Sequence, residues 1–132
     1  MEDRYLFKAK FDDSDRWVNG WLVKINDNYF IIPGYASKIS AFCFSASNII
    51  EVKKDTICRC TGLKDKNGKL IWENDIVKIN NSKINTLITF RDFEIICTIP
   101  NEKYYKHRLE YDTEYEVIGN IFDNTDLLES EE

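Results

Sequence analysis

Side chains suited to acid–base and nucleophilic chemistry are few in this sequence. The 132-residue chain contains one histidine, His107, and four cysteines. A serine or cysteine nucleophile needs a neighbouring base, and a single imidazole allows at most one such system. The chain has no G-x-S-x-G motif, no glycine-rich phosphate-binding loop and no H-E-x-x-H zinc motif. We therefore predict no catalytic residues and no enzyme activity.

A carboxylate-dependent hydrolase is the remaining catalytic alternative. Two acidic side chains can divide the roles of general acid and general base between them. The chain has 23 aspartates and glutamates, and nothing in their spacing separates one pair from the others. This alternative ranks below a non-catalytic role because it assigns no residues.

The cysteines are expected to be reduced structural thiols. Cys58 and Cys60 form a C-x-C sequence, and the alternation of a strand places both on one face. A zinc knuckle needs C-x-x-C-type spacing and further ligands, whereas Cys43 and Cys97 stand alone. We predict neither a metal site nor a cofactor.

The charged loop at residues 64–69 is the first candidate binding segment. It reads K-D-K-N-G-K, and Asn67-Gly68 is a strong turn signal because both residues accept a positive φ. Such a turn would present four polar side chains to a partner on one rigid tip: Lys64, Asp65, Asn67 and Lys69. The alternative is a hairpin turn whose charges are only solvated.

The segment at residues 104–111 is the second candidate. Surfaces that bind single-stranded nucleic acid combine aromatic side chains, on which bases stack, with basic ones. This segment has both kinds: Tyr104, Tyr105, Lys106, His107 and Arg108. Acidic residues at 102, 110, 112, 114 and 116 flank this segment and weaken its field. A nucleic acid partner is therefore an alternative that we do not favour, and a solvated loop is the simpler interpretation.

The formal charge is concentrated at one end of the chain. The net charge is -5, and the last 12 residues contain five acidic side chains and no basic one. The rest of the chain is neutral, so it lacks the general attraction that supports nonspecific DNA binding. The charged N-terminus and the absence of a long apolar stretch predict a cytoplasmic protein without a membrane partner.

Hydrophobic periodicity predicts a chain built mainly of strands. Hydrophobic residues make up 43% and aromatic residues 14%, and most apolar runs are short or alternate with period two. Residues 5–11 place Tyr5, Phe7, Ala9 and Phe11 on one face. Eight or nine such runs predict a barrel or roll of short antiparallel strands with little helix.

Turn residues divide these strands. Polar residues at 12–15 separate the first two runs, and Arg91-Asp92 separates two later ones. Residues 35–48 fit either a short helix or a loop leading into a strand, and Asn124-Thr125 is expected to cap a short terminal helix. We predict one domain over residues 1–132, with lobes at 1–55 and 56–122 and an acidic tail at 123–132.

Several segments of the chain match the pattern of a known family. Residues 61–69 read T-G-L-K-D-K-N-G-K and residues 71–78 read I-W-E-N-D-I-V-K. They resemble the pattern of the YopX family of phage and prophage proteins, which is T-G-L-x-D-x-x-G followed by an aliphatic residue, an aromatic residue and E-G-D-I-V. Residues 116–124, E-V-I-G-N-I-F-D-N, resemble the family ending, and F-K-A with W-V-N-G resembles its opening. Asn74 departs from the family glycine, which is expected to shift that turn.

The resemblance implies an SH3-like barrel, which we place at residues 56–122 after an N-terminal β-hairpin region at 1–55, and it carries over no catalytic residues. It favours a phage-encoded, non-catalytic binding or regulatory protein in the host cytoplasm. Its expected partner is an unknown host or phage protein, contacted through exposed loops and strand edges. Exposed edges also make a homo-oligomer an option.

Overall fold

The structure is a computed structural model that describes residues 5–33, 49–91, 94–99, 107–108 and 113–128. It is mainly β, as predicted, and no α-helix occurs in those ranges. Short 3₁₀ helices lie at Lys54–Thr56 and Thr125–Leu128. The strands are β1 (Phe7–Lys10), β2 (Trp17–Ile25), β3 (Asn28–Pro33), β4 (Ile50–Val52), β5 (Cys58–Lys64), β6 (Leu70–Trp72), β7 (Asp75–Ile79), β8 (Thr86–Arg91), β9 (Glu94–Thr98), β10 (His107–Arg108) and β11 (Tyr115–Asn120).

The chain divides into two compact units, Met1–Cys60 and Thr61–Glu132. The division falls inside strand β5, five residues beyond the lobe boundary expected at residue 56. Each unit has its own buried apolar cluster. The expected short terminal helix at Asn124-Thr125 is present as a 3₁₀ helix in the second unit.

The first unit is an antiparallel sheet in the order β4-β3-β2-β1, followed by the start of β5. Its core consists of Ala9, Ile31 and Val52, all buried on the face that alternation predicts for Ala9. The turn at residues 12–15 joins β1 to β2, as expected. Gly20 lies between Phe7 and Pro33 in adjacent strands, so Asn19-Gly20 is strand interior and not a turn.

The predicted barrel or roll is confirmed as a mainly β fold of antiparallel strands, but the described strands do not close into a barrel. In the first unit the end of β1 reaches β4 through an isolated bridge between Phe11 and Val52. Two backbone hydrogen bonds make this bridge, from Lys53 N–H to Lys10 O at 2.9 Å and from Asp12 N–H to Glu51 O at 3.0 Å. In the second unit the five-stranded sheet ends at β10 and β11. The described strands therefore form two antiparallel sheets, because a strand count does not determine which end strands pair.

The second unit holds the β5–β6 hairpin and a sheet in the order β10-β9-β8-β7-β11. The two strands on either side of Arg91-Asp92 pair as expected. A bulge between Val117 and Gly119 shifts the register of β11 against β7. The core of this unit consists of Ile71, Val77, Ile88, Cys97 and Tyr115. Residues 35–48 and the start of the tyrosine-rich segment lie outside the described residues.

Candidate functional site: the lysine hairpin tip

Strands β5 and β6 meet at residues 64–69, which we call the hairpin tip. The N–H of Gly68 donates to Asp65 O at 3.0 Å, and the N–H of Asp65 donates to Lys69 O at 2.7 Å. Gly68 has a φ of 82°, a conformation that glycine adopts without steric cost. Below the tip, the Thr61 hydroxyl donates to Ile71 O at 2.7 Å. The turn predicted at Asn67-Gly68 is thus confirmed.

The carboxylate of Asp65 fixes the conformation of the hairpin tip. Its Oδ1 accepts hydrogen bonds from the N–H groups of Asn67 and Lys69, both at 2.9 Å. Its Oδ2 accepts one from the N–H of Val117 in β11 at 3.0 Å. Asp65 is only 6% exposed, so these bonds replace the water that the carboxylate has lost.

The pKa of Asp65 reflects two opposing effects. Burial raises this pKa, while the hydrogen bonds from the N–H groups of Val117, Lys69 and Asn67, together with the positive charge of Lys69, lower it by more. The pKa of Asp65 therefore lies below its ordinary value, and the group is ionised at neutral pH. The turn holds its shape through a buried charge.

Lys66 connects the hairpin tip to two other elements of the second unit. Its N–H donates to Tyr115 O at 2.8 Å. Its Nζ lies 3.7 Å from Glu116 Oε1 in β11 and 3.4 Å from Asn81 Oδ1 in the β7–β8 turn. The tip is therefore attached through both the backbone and the side chain of Lys66.

The structure brings three of the four predicted tip residues to the surface. Lys64, Asn67 and Lys69 are exposed, as is Lys66, whereas Asp65 points into the protein. Lys66 was not among the predicted site residues, although it belongs to the same K-D-K-N-G-K run. The exposed side chains of the tip are thus three lysines and one asparagine around a buried aspartate.

The E-N-D-I-V segment forms the turn between β6 and β7. Asp75 Oδ2 accepts a hydrogen bond from the N–H of Trp72 at 2.8 Å, and Asp75 is 2% exposed. Asn74 has a φ of 73°, in the left-handed region that asparagine tolerates better than most residues. Asparagine in place of the family glycine was expected to shift the geometry of this turn. No such shift is required, because both residues accept a positive φ.

Two asparagines organise the end of β11. Asn120 Oδ1 accepts from the N–H groups of Phe122 and Asp123, both at 2.9 Å. Asn124 Oδ1 accepts from the N–H of Asn120 at 3.1 Å, and a Cβ on Gly119 would lie 2.6 Å from that same oxygen. The G-N-x-x-x-N spacing is therefore structural: it turns the chain after the sheet.

The second predicted segment is only partly described. His107 and Arg108 form β10 and pair with Cys97 and Ile96 of β9. Tyr104, Tyr105 and Lys106 lie outside the described residues. The prediction for this segment stays a prediction.

The cysteines in the described part of the chain are buried and form no disulfide: Cys58, Cys60 and Cys97. Burial raises the pKa of Cys97 to about 12, so its thiol stays protonated and unreactive at neutral pH. Among the described residues, no three histidine, cysteine or acidic side chains are placed to hold a metal ion. No helix in these same ranges is long and apolar enough to cross a membrane.

Comparison with known proteins connects these motifs. A comparison with the curated proteins finds none that matches the chain. A family model described as YopX protein matches residues 6–129, which is nearly the whole chain and includes the hairpin tip, the β6–β7 turn and the end of β11. The chain therefore belongs to the YopX family.

Proposed function

We propose that this protein is a phage-encoded, non-catalytic binding or regulatory protein that acts by protein–protein contact through the hairpin tip. The observation that carries the proposal is the construction of that tip. A buried carboxylate fixes the turn from inside, and the lysines around it are exposed. Membership of the YopX family supports a phage-type protein.

A rigid tip lowers the entropic cost of binding. A flexible loop must be ordered when it meets a partner, whereas a turn already held by hydrogen bonds pays less of that cost. The exposed charges of the tip come from Lys64, Lys66 and Lys69, with Glu116 beside Lys66. An acidic protein surface is the complement, and charge attraction of this kind mainly raises the association rate.

The proposed architecture is an SH3-like arrangement in the second unit, within residues 56–122. The consecutive antiparallel strands β7, β8 and β9 support this part of the proposal. Small β folds of this kind contact partners through loops and edges. The site of action would be the cytoplasm of the host cell.

The experiment is a tagged pull-down from host cells during phage induction, with nuclease treatment and mass spectrometry. The test variant is Lys64→Glu with Lys69→Glu. The control is Lys83→Glu with Arg91→Glu, which reverses the same number of exposed charges elsewhere in the second unit. We expect one protein to survive nuclease, to be lost with the tip variant and to be retained with the control.

Other outcomes contradict the proposal in different ways. Equal capture by the tip variant and the unmodified protein rejects the hairpin tip as the contact surface. Loss of every captured species on nuclease treatment rejects a protein partner and favours the nucleic acid alternative.

A further inference from the structure

Asparagine is followed by glycine at two places in the chain, Asn19-Gly20 and Asn67-Gly68. This pair favours a reaction within the chain, because glycine has no Cβ to shield its backbone nitrogen from the preceding side chain. The glycine nitrogen attacks Cγ of the asparagine and closes a succinimide ring. The bond from Cγ to Nδ2 breaks, and Nδ2 leaves as ammonia with the amide proton. Water then opens the ring and leaves aspartate or isoaspartate in place of asparagine.

Strand pairing holds the backbone at the first of these pairs. Gly20 is buried and lies between Phe7 of β1 and Pro33 of β3. A Cβ on Gly20 would overlap the backbone of Ile32, so the neighbouring strand leaves the chain no room to move at this point. Ring closure requires the backbone to rotate until the Gly20 nitrogen meets Cγ of Asn19. The fold therefore suppresses the reaction at Asn19.

The second pair lies in the hairpin tip, where Asn67 and Gly68 are both exposed. Apart from the chain neighbours of Gly68, no atom of the described residues lies within 4 Å of the place that a Cβ would take. One residue restrains this backbone. Asp65 O accepts a hydrogen bond from the N–H of Gly68 at 3.0 Å, and Asp65 Oδ1 accepts from the N–H groups of Asn67 and Lys69, both at 2.9 Å.

We propose that Asn67 is a site of spontaneous deamidation in the folded protein and that Asp65 sets its rate. The nitrogen that attacks is the one that donates to Asp65 O, so this hydrogen bond must open before the ring can close. The two bonds to Oδ1 hold the backbone on either side of Gly68 and oppose the same rotation. An exposed turn opens locally more often than a strand paired on both sides, which distinguishes Asn67 from Asn19.

Deamidation would change the binding surface of the hairpin tip, a consequence that rests on the proposed function. Aspartate at position 67 adds a carboxylate to a tip whose exposed charges are lysines. Isoaspartate also adds one carbon to the main chain before Gly68, so the bonds from Gly68 and Lys69 to Asp65 can no longer both keep their geometry. The modified tip should therefore bind an acidic partner less well than the original one.

The experiment follows both asparagines in the same samples of full-length protein by peptide mass spectrometry. One sample is incubated well below the melting temperature and a parallel one is unfolded in urea, which gives the intrinsic rate at each asparagine. In the folded protein Asn67 should react at least about tenfold faster than Asn19, which corresponds to about 1.4 kcal/mol less protection against local opening. In urea this difference should disappear. A folded protein in which Asn67 reacts no faster than Asn19 overturns the proposal.

Asp65→Ala tests the control by Asp65, because it removes the bonds to Oδ1 and adds no further amide. Asn67 should then react roughly tenfold faster, the equivalent of about 1.4 kcal/mol of lost local stability. Asp126→Ala removes an exposed carboxylate of the same unit and should leave the rate unchanged. The rate at Asn19 reports unfolding in each variant. An unchanged rate at Asn67 in Asp65→Ala overturns the role of Asp65, and if that variant unfolds, the comparison within the unmodified protein decides.

Partner capture is measured separately, so the two proposals can fail independently. Asn67→Gln should yield no product at position 67, because glutamine would have to close a larger ring, and it should still capture the partner in the pull-down. Asn67→Asp should capture less. Deamidation at Asn67 with equal capture by both variants would reject the tip as the contact surface and leave the modification site standing. An unreactive Asn67 would reject the modification site and leave the contact surface standing.

Discussion

Replacing Asp65 by asparagine tests whether a buried charge holds the hairpin tip. The amide oxygen can take the place of Oδ1 and still accept hydrogen bonds from Asn67 and Lys69. The amide nitrogen then faces the N–H of Val117, 3.0 Å from the present Oδ2. Two donors would oppose each other at that position, which the carboxylate avoids because it only accepts.

The expected cost follows from the bonds that change. An unpaired, partly buried N–H at Val117 costs about 1–3 kcal/mol. The two bonds kept by the amide oxygen lose their charge assistance, which roughly halves each of them. The smaller desolvation of a neutral amide offsets part of this loss. We expect Asp65→Asn to lower the free energy of unfolding by about 2–4 kcal/mol, a large part of the stability of an ordinary domain.

The pH dependence gives the same variant a second readout. The pKa of Asp65 in the folded protein lies below its ordinary value, so the folded state binds fewer protons than the unfolded chain. The stabilisation is therefore present above the unfolded aspartate pKa of about 3.9 and is lost as the pH falls through the folded pKa. In Asp65→Asn this part of the acid sensitivity should disappear.

Urea unfolding monitored by tryptophan fluorescence, repeated from neutral to acidic pH, measures both quantities. Asp126→Asn is the matched control, because Asp126 is exposed in the same unit and the substitution removes the same charge. Its unfolding free energy should stay within about 0.5 kcal/mol of the unmodified protein. An Asp65→Asn protein as stable as this control, with unchanged acid sensitivity, would refute the role given to the buried carboxylate.

Three further predictions use other features of the fold. A Cβ in Gly20→Ala would overlap the backbone carbonyl oxygen of Ile32, and the backbone can relieve the overlap only by shifting. Thermal unfolding should therefore reveal a loss of at least about 1–3 kcal/mol, and an unchanged melting temperature would argue against this close approach. In urea unfolding, Asn74→Gly should have the same free energy of unfolding as the unmodified protein, whereas Asn74→Ala should lose about 1–2 kcal/mol because residue 74 has a positive φ. Equal losses in both variants would contradict this prediction. Cys97 should resist iodoacetamide in the folded protein at neutral pH and react once urea unfolds it, as peptide mass spectrometry can check.

Local pattern was enough to predict the turns and most strands. Alternation placed Ala9 on the buried face of β1, and Asn67-Gly68 predicted the hairpin tip. Both predictions depend on neighbours within a few residues, where strand period and backbone preference act directly.

Contacts between residues far apart in the sequence could not be predicted from local pattern. The sequence analysis treated Asp65 as an exposed contact residue, because its partner Val117 lies 52 residues away in the chain. Lys53 is likewise far from Asp15 in the sequence, so the ion pair between these two residues was not predicted. The number of predicted strands likewise suggested a barrel. Which strands pair, such as β11 with β7, depends on contacts between residues far apart in the sequence, and local pattern does not predict those contacts.

The attachment of the hairpin tip to β11 has a consequence for the behaviour of the protein at high concentration. β11 is the last strand of its sheet, and an exposed strand edge is a template on which a second molecule can add its own strand. At this edge, the Asp65 carboxylate already accepts a hydrogen bond from the N–H of Val117. The backbone N–H of Lys66 donates to the carbonyl oxygen of Tyr115. A loop of the same chain thus blocks this edge against intermolecular strand addition, and loosening the tip would open a route to aggregation.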